Sequence, residues 1–288
     1  MPQILYPPPR PQSIGEVLKT GAQIFRLSFN ASLLYGIIIA VCGQLANLRN
    51  LSVDLPAQGF DSVDPIWWAW GVAGNILAML FGSALLLRQK ALAAGERTGV
   101  AAEMRQAAVL LSRLIVCVML STVLISMTLV PFAMVLPMAG VNATLTNLAS
   151  ANVGVLLLLI PLSLPAAWLS LGLFFAAPAL VLRKLGPIEA MRVSFRLLRG
   201  NWWRMSVLSA AVLGVLLLIF LLLWTVTLAA VVVTGISDLK VITSLVEPLG
   251  IVFGAVIVPW CGAQVLAMMG DLAVRQEEAR RAGPGGTA

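Results

Sequence analysis

The sequence predicts an all-α polytopic membrane protein with six transmembrane helices, and three observations carry that prediction. Composition is the first: 60% of the chain is apolar and only 11% is charged, against about 45–50% and about 25% in a soluble domain. Length is the second. Six apolar runs, roughly 31–48, 66–87, 107–137, 152–182, 205–235 and 241–270, each reach the 18 residues needed to cross about 30 Å of hydrocarbon. Charge alternation is the third. Of 19 lysines and arginines, all but Arg49 and Lys240 fall before the first run, in the second or fourth gap, after the last run or, for Arg113, just inside the third run beside the second gap. Under the positive-inside rule this threading places both termini in the cytoplasm. A β-barrel is excluded, since no run alternates apolar and polar residues over strand-length segments.

The net charge of +7 therefore reads as topology plus attraction to anionic headgroups, worth about 1 kcal/mol per cation near the surface. Nucleic acid is not an expected partner. Cys42, Cys117 and Cys261 lie inside apolar runs with no ligand-spaced neighbours and read as small buried hydrophobes.

Residues 1–12 hold five prolines, which predicts a mobile extended arm. Ser13 and Glu16 then form a capping box, so a helix starts near residue 14. On it Ile14, Val17, Leu18, Gly21, Phe25 and Phe29 make an apolar stripe flanked by Lys19 and Arg26. That pattern suits a helix lying in the membrane interface. A second amphipathic helix is expected over 187–202. Pro187 suits its first turn, Ile188, Met191, Phe195, Leu198 and Trp202 form its stripe, and Arg192, Arg196 and Arg199 run alongside.

Offsetting the first segment by 173 residues superposes Glu16 on Glu189, Lys19 on Arg192, Gly21 on Ser194, Arg26 on Arg199 and Phe29 on Trp202. A fainter copy, offset by 86, superposes Leu18 on Met104 and Lys19 on Arg105. The expected domain, residues 13–272, is then a possible threefold repeat of helix plus hairpin (units about 13–90, 98–183 and 186–272), with two or three interfacial helices. Outer loops fall at 49–65, 138–151 and 236–247, with Trp67, Trp68 and Trp70 as an aromatic belt. Residues 273–288 read as a polar, flexible tail.

Residues 177–204 contain Gly186-Pro-Ile-Glu-Ala190, then Ser194, a Leu/Arg stretch and Gly200-Asn-Trp-Trp203; the opening segment contains Ser13-Ile-Gly-Glu-Val-Leu18 and Phe25-Arg-Leu-Ser-Phe29. These motifs resemble bacterial integral membrane proteins related to the membrane domain of glycerophosphoryl diester phosphodiesterases. The resemblance implies a bacterial inner membrane and that domain's architecture. It does not imply hydrolysis, which in that family requires histidines and a carboxylate-held metal; this chain has no His.

No catalytic motif is present. Without His the commonest general base and metal ligand is missing, and the acids Glu16, Glu96, Glu103 and Glu189 are scattered along the chain. No enzyme, cofactor or metal is expected. The span interiors offer neutral polar side chains such as Gln44, Gln264 and the hydroxyls of Ser163, Ser170, Thr225 and Thr227, with Glu247 near the outer end of the last run, whereas a coupled carrier would place a carboxylate at depth. Prolines 131, 137, 161, 165, 248 and 259 read as helix kinks. Gly250, Gly254 and Gly262 read as a close-packing face. The candidate site is a cationic shelf of Lys19, Arg26, Arg105, Arg192, Arg196, Arg199 and Arg204 for anionic phospholipid headgroups. The leading functional expectation is a non-catalytic inner-membrane protein organising anionic lipid or a partner at the cytoplasmic interface. The alternative is a transporter or exporter of a lipid-like amphipathic solute, which needs a polar cavity near Ser163 and Thr225.

Overall fold

The computed structural model describes residues 5–52, 65–96, 98–135, 153–234 and 239–281. They form α1 (Ile14–Gly43), α2 (Leu45–Ser52), α3 (Pro65–Ala93), α4 (Val100–Val135), α5 (Val153–Leu173), α6 (Ala176–Arg183), α7 (Pro187–Leu198), α8 (Trp202–Thr234) and α9 (Leu239–Arg281). No strand occurs among the described residues. Among the described residues, six helical segments are long and apolar enough to cross a membrane: Ile14–Gly43, Pro65–Ala93, Val100–Val135, Ile160–Arg183, Trp202–Ala229 and Pro248–Arg281. The chain is an all-α multi-pass membrane protein. Most of the expected outer loops, residues 1–4 of the arm and residues 282–288 lie outside the described residues.

The capping box forms as expected: the Glu16 amide donates to Ser13 Oγ, and the Ser13 amide donates to Glu16 Oε2 at 2.6 Å. The helix it starts is not a separate interfacial element, however. It runs unbroken into the first span as α1. The same holds for the fainter copy expected near Met104 and Arg105, where α4 continues through its basic start. Only α7 stands apart. The reason is local: the 173-residue offset that superposes the units puts Leu27 opposite Gly200. Gly200 has φ +81, a left-handed conformation that glycine adopts freely and leucine does not. The helix breaks there, whereas Ser28 in α1 folds its hydroxyl back onto the Ile24 carbonyl at 2.8 Å.

Two further segments differ from expectation. Residues 5–12 are packed onto the bundle: the Leu5 amide donates to the Ala93 carbonyl at 2.8 Å, Pro8 is buried, and Tyr6 and Pro8 lie against Gly270. The polar tail is helical as far as Arg281, as the end of α9.

α1, α3 and α9 form the centre of the bundle, and small residues set their spacing. A Cβ on Gly36 would lie 2.1 Å from the Ala255 carbonyl oxygen and 2.8 Å from Pro259 Cγ. Pro259 has no amide to donate to residue 255, so the freed carbonyl faces the Gly36 backbone instead. Gly254 meets Ala40 and Gly262 meets Gln89, but Gly250 has nothing within 4 Å; the expected glycine face packs at two of its three positions. Prolines 131, 161, 165, 248 and 259 all sit within continuous helices.

The largest core cluster gathers the start of α1 (Val17, Ile24), Phe175 and Ala179 by α6, Leu197 of α7, Met205 and Leu208 of α8, and Leu266, Met269 and Leu272 of α9. These segments mark the basic end of the bundle. Toward the other end α8 has little around it: Leu213, Leu217, Leu218, Phe220, Leu222 and Trp224 are all exposed. A helix apolar on every side and uncovered by protein is one that lipid covers.

Candidate lipid-facing cationic site

The site is built on α7. Pro187 sits in its first turn and Gly186 caps it with extended backbone. One face, Ala190, Val193, Ser194, Leu197 and Leu198, is buried. Ser194 fastens that face to the break between α5 and α6. Its hydroxyl donates to the Gly172 carbonyl at 2.6 Å and accepts the Phe175 amide at 3.1 Å. A turn with no helical partner for its amide is thereby satisfied. Gly172 leaves the room that the Phe195 ring needs, since a Cβ there would lie 2.3 Å from the ring. Trp168 stacks obliquely on Phe195 at 5.5 Å and on Trp202 at 6.1 Å between ring centroids.

The single apolar stripe expected on this helix is thus two faces. Leu198 belongs to the core, while Ile188, Met191 and Phe195 turn toward α4. Together with Leu120, Val123 and Leu124 they line a recess of about 420 Å³, and Arg192 is its one charged lining residue.

Arg192, Arg196 and Arg199 are exposed. Among the described residues none of them forms an ion pair. Lys19 and Arg26 are exposed on α1, and Arg105 is exposed on α4. The expected shelf is therefore spread over three helices, with its densest part on α7.

Arg204 departs from that expectation. Its guanidinium turns inward to Asp271, with Nε 3.0 Å from Oδ2. Asp271 is fully buried and also accepts Arg275 Nε at 3.1 Å and the Gln12 amide at 2.7 Å. The Gln12 carbonyl in turn accepts from both guanidinium groups, at 2.7 Å from Arg275. Gln12 Nε2 reaches Thr20 Oγ1 at 2.9 Å. This latch ties the amino-terminal arm to α1, α8 and α9. Within the arm, burial pushes the Tyr6 phenol above its ordinary pKa, and the Arg183 charge opposes that shift.

A second buried acid completes the polar framework. Glu103, 4% exposed, receives the Tyr35 hydroxyl at 3.0 Å, Arg88 at 3.1 Å and the Thr98 hydroxyl. It joins α1, α3 and α4. Sequence reasoning counted Glu103 among scattered acids and passed over Asp271. The available signal for Asp271 was its setting, between Met268-Met269-Gly270 and Leu272-Ala273, with Arg275 four residues on.

Ser163 and Thr225, where a carrier would have its polar path, bond the carbonyls of Ile160 and Leu221 in their own helices. Thr225 is exposed on the apolar outer surface, and Ser163 is half-buried. A cleft of about 300 Å³ between α3, α4, α6 and α9 is lined almost wholly by apolar side chains, among them Met79, Leu86, Val118 and Val258.

No curated protein and no solved structure matches the chain. One family model matches residues 13–272, which is most of its length. The chain belongs to the family described as Domain of unknown function (DUF7847).

Proposed function

We propose that this membrane protein is non-catalytic and organises anionic phospholipid at the cytoplasmic face of a bacterial inner membrane, with both termini on that face. The observation that carries the reading is the contrast among its cations. Arg88, Arg204 and Arg275 are held by buried carboxylates, whereas Arg192, Arg196 and Arg199, on one short amphipathic helix and its C-cap, form no ion pair among the described residues. Unpaired guanidinium groups beside apolar side chains suit phosphate at a headgroup boundary. The motifs at 13–29 and 177–204 fit a kinship with the membrane domain of glycerophosphoryl diester phosphodiesterases, taken as architecture without the hydrolytic centre.

The test is native mass spectrometry of the purified protein after equilibration with equal amounts of phosphatidylglycerol and phosphatidylcholine. The reading expects phosphatidylglycerol enriched on the protein, and the enrichment lost in the triple variant Arg192→Gln, Arg196→Gln, Arg199→Gln. Bulk proportions on the unaltered protein overturn it.

A further inference from the structure

The recess between α4 and α7 has a more specific use. We infer that it seats one anionic phospholipid, with an acyl chain along the apolar walls and the phosphate on the Arg192 guanidinium. This rests on the function proposed above and assigns it to a single molecule and a single anchoring cation.

Four observations argue for it. The walls are apolar on both sides: Leu120, Val123 and Leu124 on α4 and Ile188, Met191 and Phe195 on α7. The two helices differ in kind, since α4 is long enough to span and α7, with 12 residues, is not. A recess between a spanning helix and a short basic one joins a hydrocarbon-facing wall to a cation, which matches the two ends of a phospholipid. Arg192 sits at the recess, while Arg196 and Arg199 follow it along the helix outside the lining. The neighbouring acid, Glu189, is exposed and makes no ion pair with it. Lastly, the recess is pre-formed. Ser194 bolts α7 to the α5–α6 break and Trp168 braces Phe195 from behind, so little ordering cost remains on binding.

The occupant is a membrane lipid and not free phosphate, because an inorganic anion leaves the six apolar walls unfilled. An annular layer of many lipids would use all three arginines alike. A seated lipid depends on Arg192 and on the volume in front of Val123, a residue that is 53% exposed.

The experiment counts phosphatidylglycerol molecules that survive stepwise collisional activation in native mass spectra, from the same mixed-lipid equilibration. One retained molecule is expected on the unaltered protein. Arg192→Gln is expected to reduce its occupancy about fivefold, the effect of one cation worth about 1 kcal/mol near the surface. Val123→Trp, which fills the recess without removing charge, is expected to displace it; Leu120→Phe repeats that measurement on a second wall. Arg199→Gln is expected to leave it. If Arg199→Gln matches Arg192→Gln, or filling the recess changes nothing, the single seat is wrong while the enrichment that defines the broader function can still stand. If phosphatidylglycerol is nowhere enriched, both fail. Each variant is compared at matched helicity and a single size-exclusion peak, so loss of fold is read separately.

Discussion

Two arginines converge on Asp271, and three others follow one another along α7 without an ion pair among the described residues. Both regions sit at the basic end, and from the sequence they look alike, as juxtamembrane positive charge. Their physics is opposite. Around Asp271 a buried carboxylate, two guanidinium groups and a backbone carbonyl satisfy one another, so the cations serve the fold. Along α7 the guanidinium groups are exposed and form no ion pair among the described residues. The lesson is that an excess of basic residues flanking apolar spans divides into cations that hold helices together and cations that stay exposed, and only the location of buried acids tells them apart.

The strongest way to break this contrast is Asp271→Ala. Removing one partner of a buried ionic cluster costs about 3–5 kcal/mol, and the lower end applies because Arg204 and Arg275 keep 17% and 29% of their side-chain surface. Chemical unfolding in mild detergent should register that loss, and proteolysis near Gln12 should quicken as the arm is released. Lipid preference on α7 should persist in whatever protein remains folded. If Asp271→Ala leaves stability unchanged, the latch is not a structural element.

Glu103→Gln sharpens the same comparison at a second place. The amide keeps the shape but removes the charge facing Arg88, and it cannot accept from Tyr35, Thr98 and Arg88 as a carboxylate does. A cost of about 1–3 kcal/mol is expected, again by unfolding in detergent. Equal stability would mean that the Glu103 charge does not hold α1, α3 and α4 together.

How much of this was legible beforehand follows from the range of each interaction. The six spans, the Ser13–Glu16 box and Pro187 at the start of α7 depend on neighbours within a few residues, and the sequence displays them. The latch does not work that way: Asp271 meets Arg204 67 residues away and Gln12 259 residues away. The Glu103 junction likewise spans 68 residues to Tyr35. The continuity of α1 is hidden in the sequence for a subtler reason. Its amphipathic start resembles α7 closely enough to suggest the same construction, and the deciding difference is Leu27 against Gly200. Of the predicted site, Arg192, Arg196 and Arg199 stay together, and Arg204 is lost to a partner that hydropathy gave no reason to seek.

Ser194→Ala tests the link between the two regions. It removes the acceptor for the Phe175 amide and the donor to the Gly172 carbonyl, both buried. A cost of about 1–2 kcal/mol is expected for those unmet groups. Because α7 would lose its fastening, lipid retention should weaken although no charge has changed. Retention that is unaltered while stability falls would mean that the recess does not depend on the α5–α6 break.

The smallest effect on the fold comes from Arg199→Gln. The residue is exposed at the end of α7, its side chain has no partner among the described residues, and surface changes of this kind stay within about ±0.5 kcal/mol. Its consequence should appear in the membrane instead. Flotation with vesicles containing anionic lipid draws on attraction that salt screens over about 10 Å at 0.1 M. The unaltered protein, displayed in nanodiscs of neutral lipid, should bind anionic vesicles more tightly at low salt than at high, and Arg199→Gln should flatten that dependence without moving the unfolding midpoint. The reverse pattern, a shifted midpoint with the same salt response, would move Arg199 across the divide into the company of Arg204 and leave α7 with one fewer cation for the membrane.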